Sequence, residues 1–275
     1  MTTRLRRWGR RLLRGSARPQ RRLRSYASLD AAVRDCDGYQ DEELIEVVCR
    51  KTECYRAGLA ASELRDRQTI QNLFVLLHVS RREPIDVVEL GGACGAVYFE
   101  VERWLPGLVR RWTIVETPAM ARAARVRFAG DRLRFADDLS PLDARDEAPS
   151  VFMAQGSLPF VPDAAGVLAR AARGGFDALY VTRTLVLEDD PAAIISRQEA
   201  SIREHGPGPT PPDVHDRLLT QPMVLLPRQS LLGQPPDGYE LELSFEEGPA
   251  AEWQVGEGRV RVRERGALMR RGPRP

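Results

Sequence analysis

Ile85-Asp86-Val87-Val88-Glu89-Leu90-Gly91-Gly92-Ala93-Cys94-Gly95-Ala96-Val97-Tyr98 decides the fold. Its first six residues are mostly β-branched or apolar and read as a buried strand. Glycines at 91, 92 and 95 then mark a tight turn. A helix follows, with Val97, Tyr98, Val101, Trp104 and Leu105 on its inner face and Pro106-Gly107 at its end. Strand, glycine turn and helix in that order open a βαβ unit, and open parallel sheets bind ligands beyond the carboxyl ends of their strands.

Outward from this unit, strands are expected at Trp112–Glu116, Arg132–Ala136, Ser150–Ala154 and Ala178–Thr182, with helices at 118–128 and 163–172. Strands alternating with helices at this spacing imply a mostly parallel sheet covered on both faces. Tyr239–Phe245 and Arg259–Val262 are expected to add an antiparallel edge pair. After Asp190 the pattern weakens, and Gly206-Pro207-Gly208-Pro209-Thr210-Pro211-Pro212 reads as a loop or lid edge. Before the first strand, Tyr26–Ser80 is helical in pattern. Ile70, Leu73, Phe74 and Leu77 form one stripe, with Ser62 as the expected N-cap. The domain reading is a basic leader at 1–25, a helical segment at 26–84, a ligand-binding domain at 85–265 and a flexible tail at 266–275.

The turn restricts the ligand. A dinucleotide prefers G-x-G-x-x-G with its pyrophosphate at the helix N-terminus, whereas counting from Gly91 gives Gly-x-Ala-x-x-Ala. S-adenosylmethionine (SAM) instead asks for an acid at its ribose diol, an apolar slot for adenine and an acceptor near its ammonium. Glu89 is placed to orient the loop or attract the ammonium. Glu116, 25 residues beyond the first glycine and close to the roughly 20 expected of a βαβ ribose acid, is placed for the ribose. Asp137 and Asp138 are placed for the adenine amino group. Tyr98 faces either the cofactor or the core.

Val88–Tyr98 also resembles the glycine motif, typically GGSLG followed closely by Tyr, of a family of putative bacterial SAM-dependent methyltransferases. Trp112-Thr113-Ile114-Val115-Glu116-Thr117-Pro118 resembles the family's WTVVEQP segment, and Gly238-Tyr239-Glu240-Leu241 its GYEL strand. Leu133–Phe135, Gly156–Asp163 and Val181–Thr184 are similar to further strand regions, so the likeness runs from about Tyr26 to Arg265. Ala93, Cys94 and Thr117 depart from the pattern. The resemblance implies a class I, Rossmann-like methyltransferase fold with SAM held by Gly91, Gly92, Gly95 and Glu116. It further implies an association with surface-glycan or other secondary biosynthesis, hence a small-molecule or glycan-type acceptor.

A proton acceptor for the chemistry is sought at His215, beside the Pro-rich loop, or at Glu188, Asp189 or Asp190 after the fifth strand. Arg183 is placed either to clamp an anionic acceptor or to serve an ion pair. Two other readings stay open: a non-catalytic SAM-binding or membrane-tethered interaction module, and an NAD-dependent oxidoreductase. The second is disfavoured because the chain's one lysine, Lys51, leaves no Tyr-x-x-x-Lys pair.

Composition frames these readings. The chain of 275 residues has 41 Lys+Arg and 39 Asp+Glu. Ten of the arginines lie in residues 1–24, which hold no acid, so the remainder carries 31 basic and 39 acidic groups, a net of −8. An acidic body disfavours nucleic acid as a partner. In the leader, Leu5, Trp8, Leu12 and Leu13 fall on one helical face among arginines. It reads as a basic amphipathic helix for an anionic membrane surface, as a solvated tail or as a transit peptide. Cys36, Cys49, Cys54 and Cys94 have no paired spacing, so neither a zinc site nor a disulfide framework is expected. Free thiols imply a reducing, cytoplasmic setting.

Overall fold

The computed structural model describes residues 22–64, 66–143, 149–189 and 192–272. Most of the leader, Asp190 and residues 273–275 lie outside them. The elements are β1 (Arg22–Leu23), α1 (Leu29–Arg34), α2 (Glu42–Leu59), α3 (Arg67–Ser80), β2 (Ile85–Leu90), α4 (Ala96–Trp104), β3 (Val109–Val115), α5 (Pro118–Phe128) and β4 (Leu133–Ala136). They continue with β5 (Ser150–Gln155), α6 (Ala164–Gly174), β6 (Ala178–Leu187), β7 (Ile194–Ser201), β8 (Leu218–Pro227), α7 (Arg228–Leu231), β9 (Tyr239–Glu246), β10 (Ala251–Val255) and β11 (Gly258–Arg271). No helix among the described residues is long and apolar enough to cross a membrane.

The central sheet runs β4-β3-β2-β5-β6, all parallel, then β11 antiparallel to β6 and β9 antiparallel to β11. This is the mostly parallel, doubly wound arrangement expected, with β2 at its centre and the order reversing between β2 and β5. One face is covered by α2, α3, α4 and α5 around Trp112, Ile114, Phe128 and Tyr180. The other is covered by α6 and α7 around Phe152, Phe176 and Leu168. β2 is apolar on both sides because both faces are covered.

The late strands differ from expectation. β9 does pair with β11, but through Arg265–Arg271; Arg259–Val262 pairs instead with β10 and, at Val262, with β6. β11 is therefore an interior strand, and the boundary placed at 265 falls inside it. Ala267, Leu268 and Met269 are buried, so residues 266–271 are core and not a flexible tail.

β6 and β11 are long enough to rise past the carboxyl edge of the sheet, and there they build a second lobe. β8 joins the end of β6, and β7 joins β8. On the other side β10 joins β11, and β1 joins β10. A bridge from Ser25 to Ser196 brings β7 back beside the β1 segment, so six strands close into a ring. Leu23, Leu187, Met223, Leu225, Trp253 and Val262 fill its interior. Closure removes exposed strand edges. The lobe stands over the side of the sheet where a ligand binds.

Two helical details also differ. α3 is capped by Asp66, which accepts the Thr69 N–H at 2.9 Å, while Ser62 donates to Leu59 O at the end of α2. The apolar stripe of α3 points outward: Ile70, Phe74 and Leu77 are exposed, while Thr69, Asn72, Leu73, Leu76 and Val79 face inward.

Candidate active site

The glycine turn is packed from below. Glu89 is buried in β2 and accepts the indole N–H of the wholly buried Trp112 at 2.9 Å. A buried indole left unpaired costs about 1–3 kcal/mol, so this bond fixes both side chains. A Cβ at Gly92 would lie 2.5 Å from the Glu89 carboxyl carbon, and one at Gly91 (φ +74°) would lie 2.5 Å from Ser157 Cβ. Burial pushes the Glu89 pKa up to about 7. Glu89 is therefore seated beneath the loop, against Gly92 and Trp112. Gly95, the N-cap of α4, presses towards Leu133 and Ile114. Tyr98, one residue from Phe99, packs edge-on against Phe99 and Trp112, which assigns it to the core supporting the loop.

Glu116 closes the turn from the side. Directly after β3, its carboxylate accepts the N–H of Ala93 at 3.0 Å and of Thr117 at 2.8 Å. Burial raises its pKa, against the two backbone donors. A carboxylate has about four acceptor positions, so two stay available. Ala93 itself adopts φ +49°, a costly conformation for a residue with a side chain, held by this contact. Beside Glu116, the Thr117 hydroxyl is buried without a hydrogen-bond partner among the described residues. Thr117 departs from the family pattern, and nothing local in the sequence marks it as a site residue. An orphaned hydroxyl next to a half-used carboxylate fits a ligand diol.

Asp137 and Asp138 follow β4 and are both exposed. Asp138 accepts the Ser140 N–H at 2.7 Å, which lowers its pKa and ties it to the turn. Asp137 stands at the rim beside the partly buried Ala136 and Leu139, an acid next to an apolar wall.

Further along the carboxyl edge, Ser157 donates to Leu90 O at 2.7 Å, joining the end of β5 to that of β2. Gln155 ends β5 and accepts from Asn72 at 3.0 Å, and Asn72 in turn accepts from Tyr180 at 2.9 Å. Gly156 abuts Arg183, where β6 leaves the sheet with φ +52° and donates its backbone N–H to Glu247. Arg183 itself is exposed.

The other candidates for the chemistry are elsewhere. Glu188 is held bidentately by Arg265, at 2.6 and 2.9 Å, inside the lobe. Asp189 pairs with Arg261 at 2.8 Å on the surface. His215 is exposed, near the Arg50–Asp213 pair on the outer side of α2. The Pro-rich segment is not a free lid, because Gly206 packs against Val48 and Gly208 against Lys51 and Tyr55 of α2.

An aromatic wall that sequence reasoning missed is built on Tyr39. Tyr39, between α1 and α2, meets Phe160 edge-on with ring centroids 5.4 Å apart and His205 at 6.2 Å. Burial, and then the charge of Glu116, raises the Tyr39 pKa. All four cysteines are free, and Cys94 in the loop lies 3.5 Å from Cys49 of α2.

The chain matches no family model and no curated protein. Among solved structures it is similar to a SAM-dependent methyltransferase from Clostridium acetobutylicum, with 9% identity over 76% of this chain and 94% of that one, at a TM-score of 0.43. It is also similar to the N-terminal domain of EvdMO1 with SAH bound (17% identity, 76% and 83% covered, TM-score 0.45). A third is CalS10, an amino pentose methyltransferase from Micromonospora echinaspora (13% identity, 74% and 90% covered, TM-score 0.43). Likeness at this level carries no conclusion about ligand or reaction.

Proposed function

We propose that this protein is a SAM-dependent methyltransferase acting on a small-molecule or glycan-type acceptor. The observation that carries the reading is the Glu116 carboxylate seated on the Ala93 N–H of the glycine turn. A dinucleotide pyrophosphate needs such loop N–H groups for itself, and beside Glu116 it meets like charge. At about 5 Å and an effective dielectric of about 20, that repulsion is roughly 3 kcal/mol per charge pair. A cationic ligand gains where the pyrophosphate loses.

SAM, when bound, supplies a methyl group on a positively charged sulfur. The chain's own residues do the rest. Glu116 accepts the ribose hydroxyls with its unused acceptor positions, next to the Thr117 hydroxyl. Gly91 and Gly92 let the methionine portion approach the backbone, and Glu89 holds the loop from below. Asp137 at the rim of the Ala136–Leu139 wall takes the adenine amino group. Gln155 at the end of β5 and Arg183 within β6, just past its pairing with β5, face the acceptor. Positioning supplies much of the rate in a displacement of this kind.

The net −8 outside residues 1–24 supports a small acceptor over nucleic acid. The ten arginines of that stretch support peripheral contact with an anionic membrane, and the free thiols support a reducing cytoplasm, in keeping with a bacterial family. Incubation of the protein with methyl-labelled SAM and cell extract tests the reaction. Label transferred to a small or glycan-type compound is expected. Binding of SAM with no transfer to any extract fraction would favour a non-catalytic module.

A further inference from the structure

We infer that His205 is the base that takes the proton of the methyl acceptor, and that the acceptor is a hydroxyl compound; the inference rests on the methyltransferase reading. His205 lies in the connection between β7 and β8, just after a turn at Ile202–Glu204 that α2 holds in place through the bond from Lys51 Nζ to Arg203 O at 2.7 Å. The imidazole Nε2 is buried and has no hydrogen-bond partner among the described residues. Buried polar atoms are almost always paired, and an orphan costs about 1–3 kcal/mol. An orphan at the Tyr39–Phe160 wall is accounted for if a ligand completes it.

Contacts place His205 at that wall. Its ring meets Tyr39 edge-on, and Tyr39 meets Phe160 edge-on. Phe160 ends the turn whose Ser157 packs against Gly91 and bonds Leu90 O. Tyr39 also lies within the field of Glu116. The contacts Gly91–Ser157–Phe160–Tyr39–His205 therefore link the glycine turn to the imidazole through packed side chains.

The surroundings suit a base. Three ionisable groups face His205: Lys51 from α2, Glu204 from its own turn and Tyr39 from the α1–α2 connection. Burial first, and then the Lys51 charge, lower the His205 pKa, against a smaller opposing effect of Glu204. The imidazole is thus neutral at neutral pH and ready to accept a proton. The buried Lys51 ammonium also repels a protonated amine, which is why the acceptor is assigned as a hydroxyl. In the reaction the acceptor oxygen forms its bond to the methyl carbon as its proton passes to Nε2. The electron pair of the broken carbon–sulfur bond remains on sulfur, and the imidazolium then releases the proton to water.

The test uses the full chain and three readouts. Calorimetry with SAM should give affinities within about threefold for wild type and His205→Gln. Wild type should transfer label from SAM to extract as an alkali-stable O-methyl ether, with His205→Gln slower by about 100-fold or more, the range of general base catalysis. The wild-type rate should fall with one proton below the His205 pKa, and the residual rate of the variant should lack that limb. Nitrogen-15 NMR of histidine-labelled wild type, free of any ligand, should show a histidine titrating below 6.5 that is absent from His205→Asn. That readout stands even if His205→Gln misfolds. An unchanged rate with SAM still bound would overturn the role of His205 alone, as would an NMR titration above 6.5. An N-methyl product would overturn the hydroxyl assignment. No SAM binding by wild type, or no labelled product, would instead remove the methyltransferase reading beneath it.

Discussion

The Glu116 carboxylate, at the end of β3, accepts the backbone N–H of Ala93 in the glycine turn at 3.0 Å, so the acid expected to hold a ribose also holds the loop. Its second oxygen accepts from Thr117 at 2.8 Å. Glu116→Gln keeps one acceptor but turns an amide NH2 towards the other backbone donor. SAM affinity is expected to fall about 10- to 100-fold, roughly 1.4–2.7 kcal/mol. Calorimetry on the variant checks this, and an unchanged affinity removes Glu116 from the cofactor site.

Gly92→Ala should destabilise the fold through a contact and not through backbone strain. The new methyl would lie 2.5 Å from the Glu89 carboxyl carbon, and Glu89 cannot retreat while Trp112 holds it. Overpacking of this kind costs about 1–3 kcal/mol. Urea denaturation should show that loss, and a clearly smaller one when Gly92→Ala is made in a Glu89→Ala background. Equal losses in both backgrounds would show that the Glu89 contact is not the cause.

Stability should depend on pH through Glu89. Burial raises its pKa from 4.5 to about 7, so the folded state binds a proton that the unfolded state has lost between these values. The contribution is complete below pH 4.5 and is lost as pH rises through about 7, up to roughly 3 kcal/mol in all. Glu89→Gln should flatten this part of the stability profile, measured by denaturation from pH 5 to 8. A wild-type profile that rises across the window would contradict the buried, protonated state.

How much of this was legible in the sequence differs from element to element. β2, its turn and Glu116 were, because β-branched runs, glycines and the βαβ acid spacing each have a local cause. The outward stripe of α3 was not, since periodicity shows that Ile70, Phe74 and Leu77 share a face but not which face meets the sheet. The buried face instead carries Thr69, bonded to Asp66 and Glu100, and Asn72, whose polarity is met by a network reaching Tyr180 and Gln155. β8 was hidden by Pro222 within it, and β7 by its polar composition. The ring they form with β1, β10, β6 and β11 depends on pairings over long separations that no local pattern records. His205 had no distinguishing neighbours in sequence; only its packing on Tyr39 sets it apart from His215.

Ion pairs with arginine engage two other acids, Glu188 and Asp189. Glu188 lies with Arg265 in the lobe, its carboxylate 9% exposed, and that bond holds its pKa down. Stability from this pair is present above the unfolded carboxylate range and lost as pH falls below it. Glu188→Gln should cost on the order of 2–4 kcal/mol at pH 7 while leaving SAM affinity unchanged. His215→Ala should change neither stability nor methyl transfer. Denaturation and calorimetry on the two variants check both statements, and a loss of SAM binding in Glu188→Gln without loss of stability would return Glu188 to the site.

Calorimetric titration of the wild-type protein with SAM, S-adenosylhomocysteine and NAD addresses the cofactor directly. Saturable binding of SAM and S-adenosylhomocysteine at one site, with none of NAD, is the expected result. Saturable binding of NAD without SAM would contradict the account.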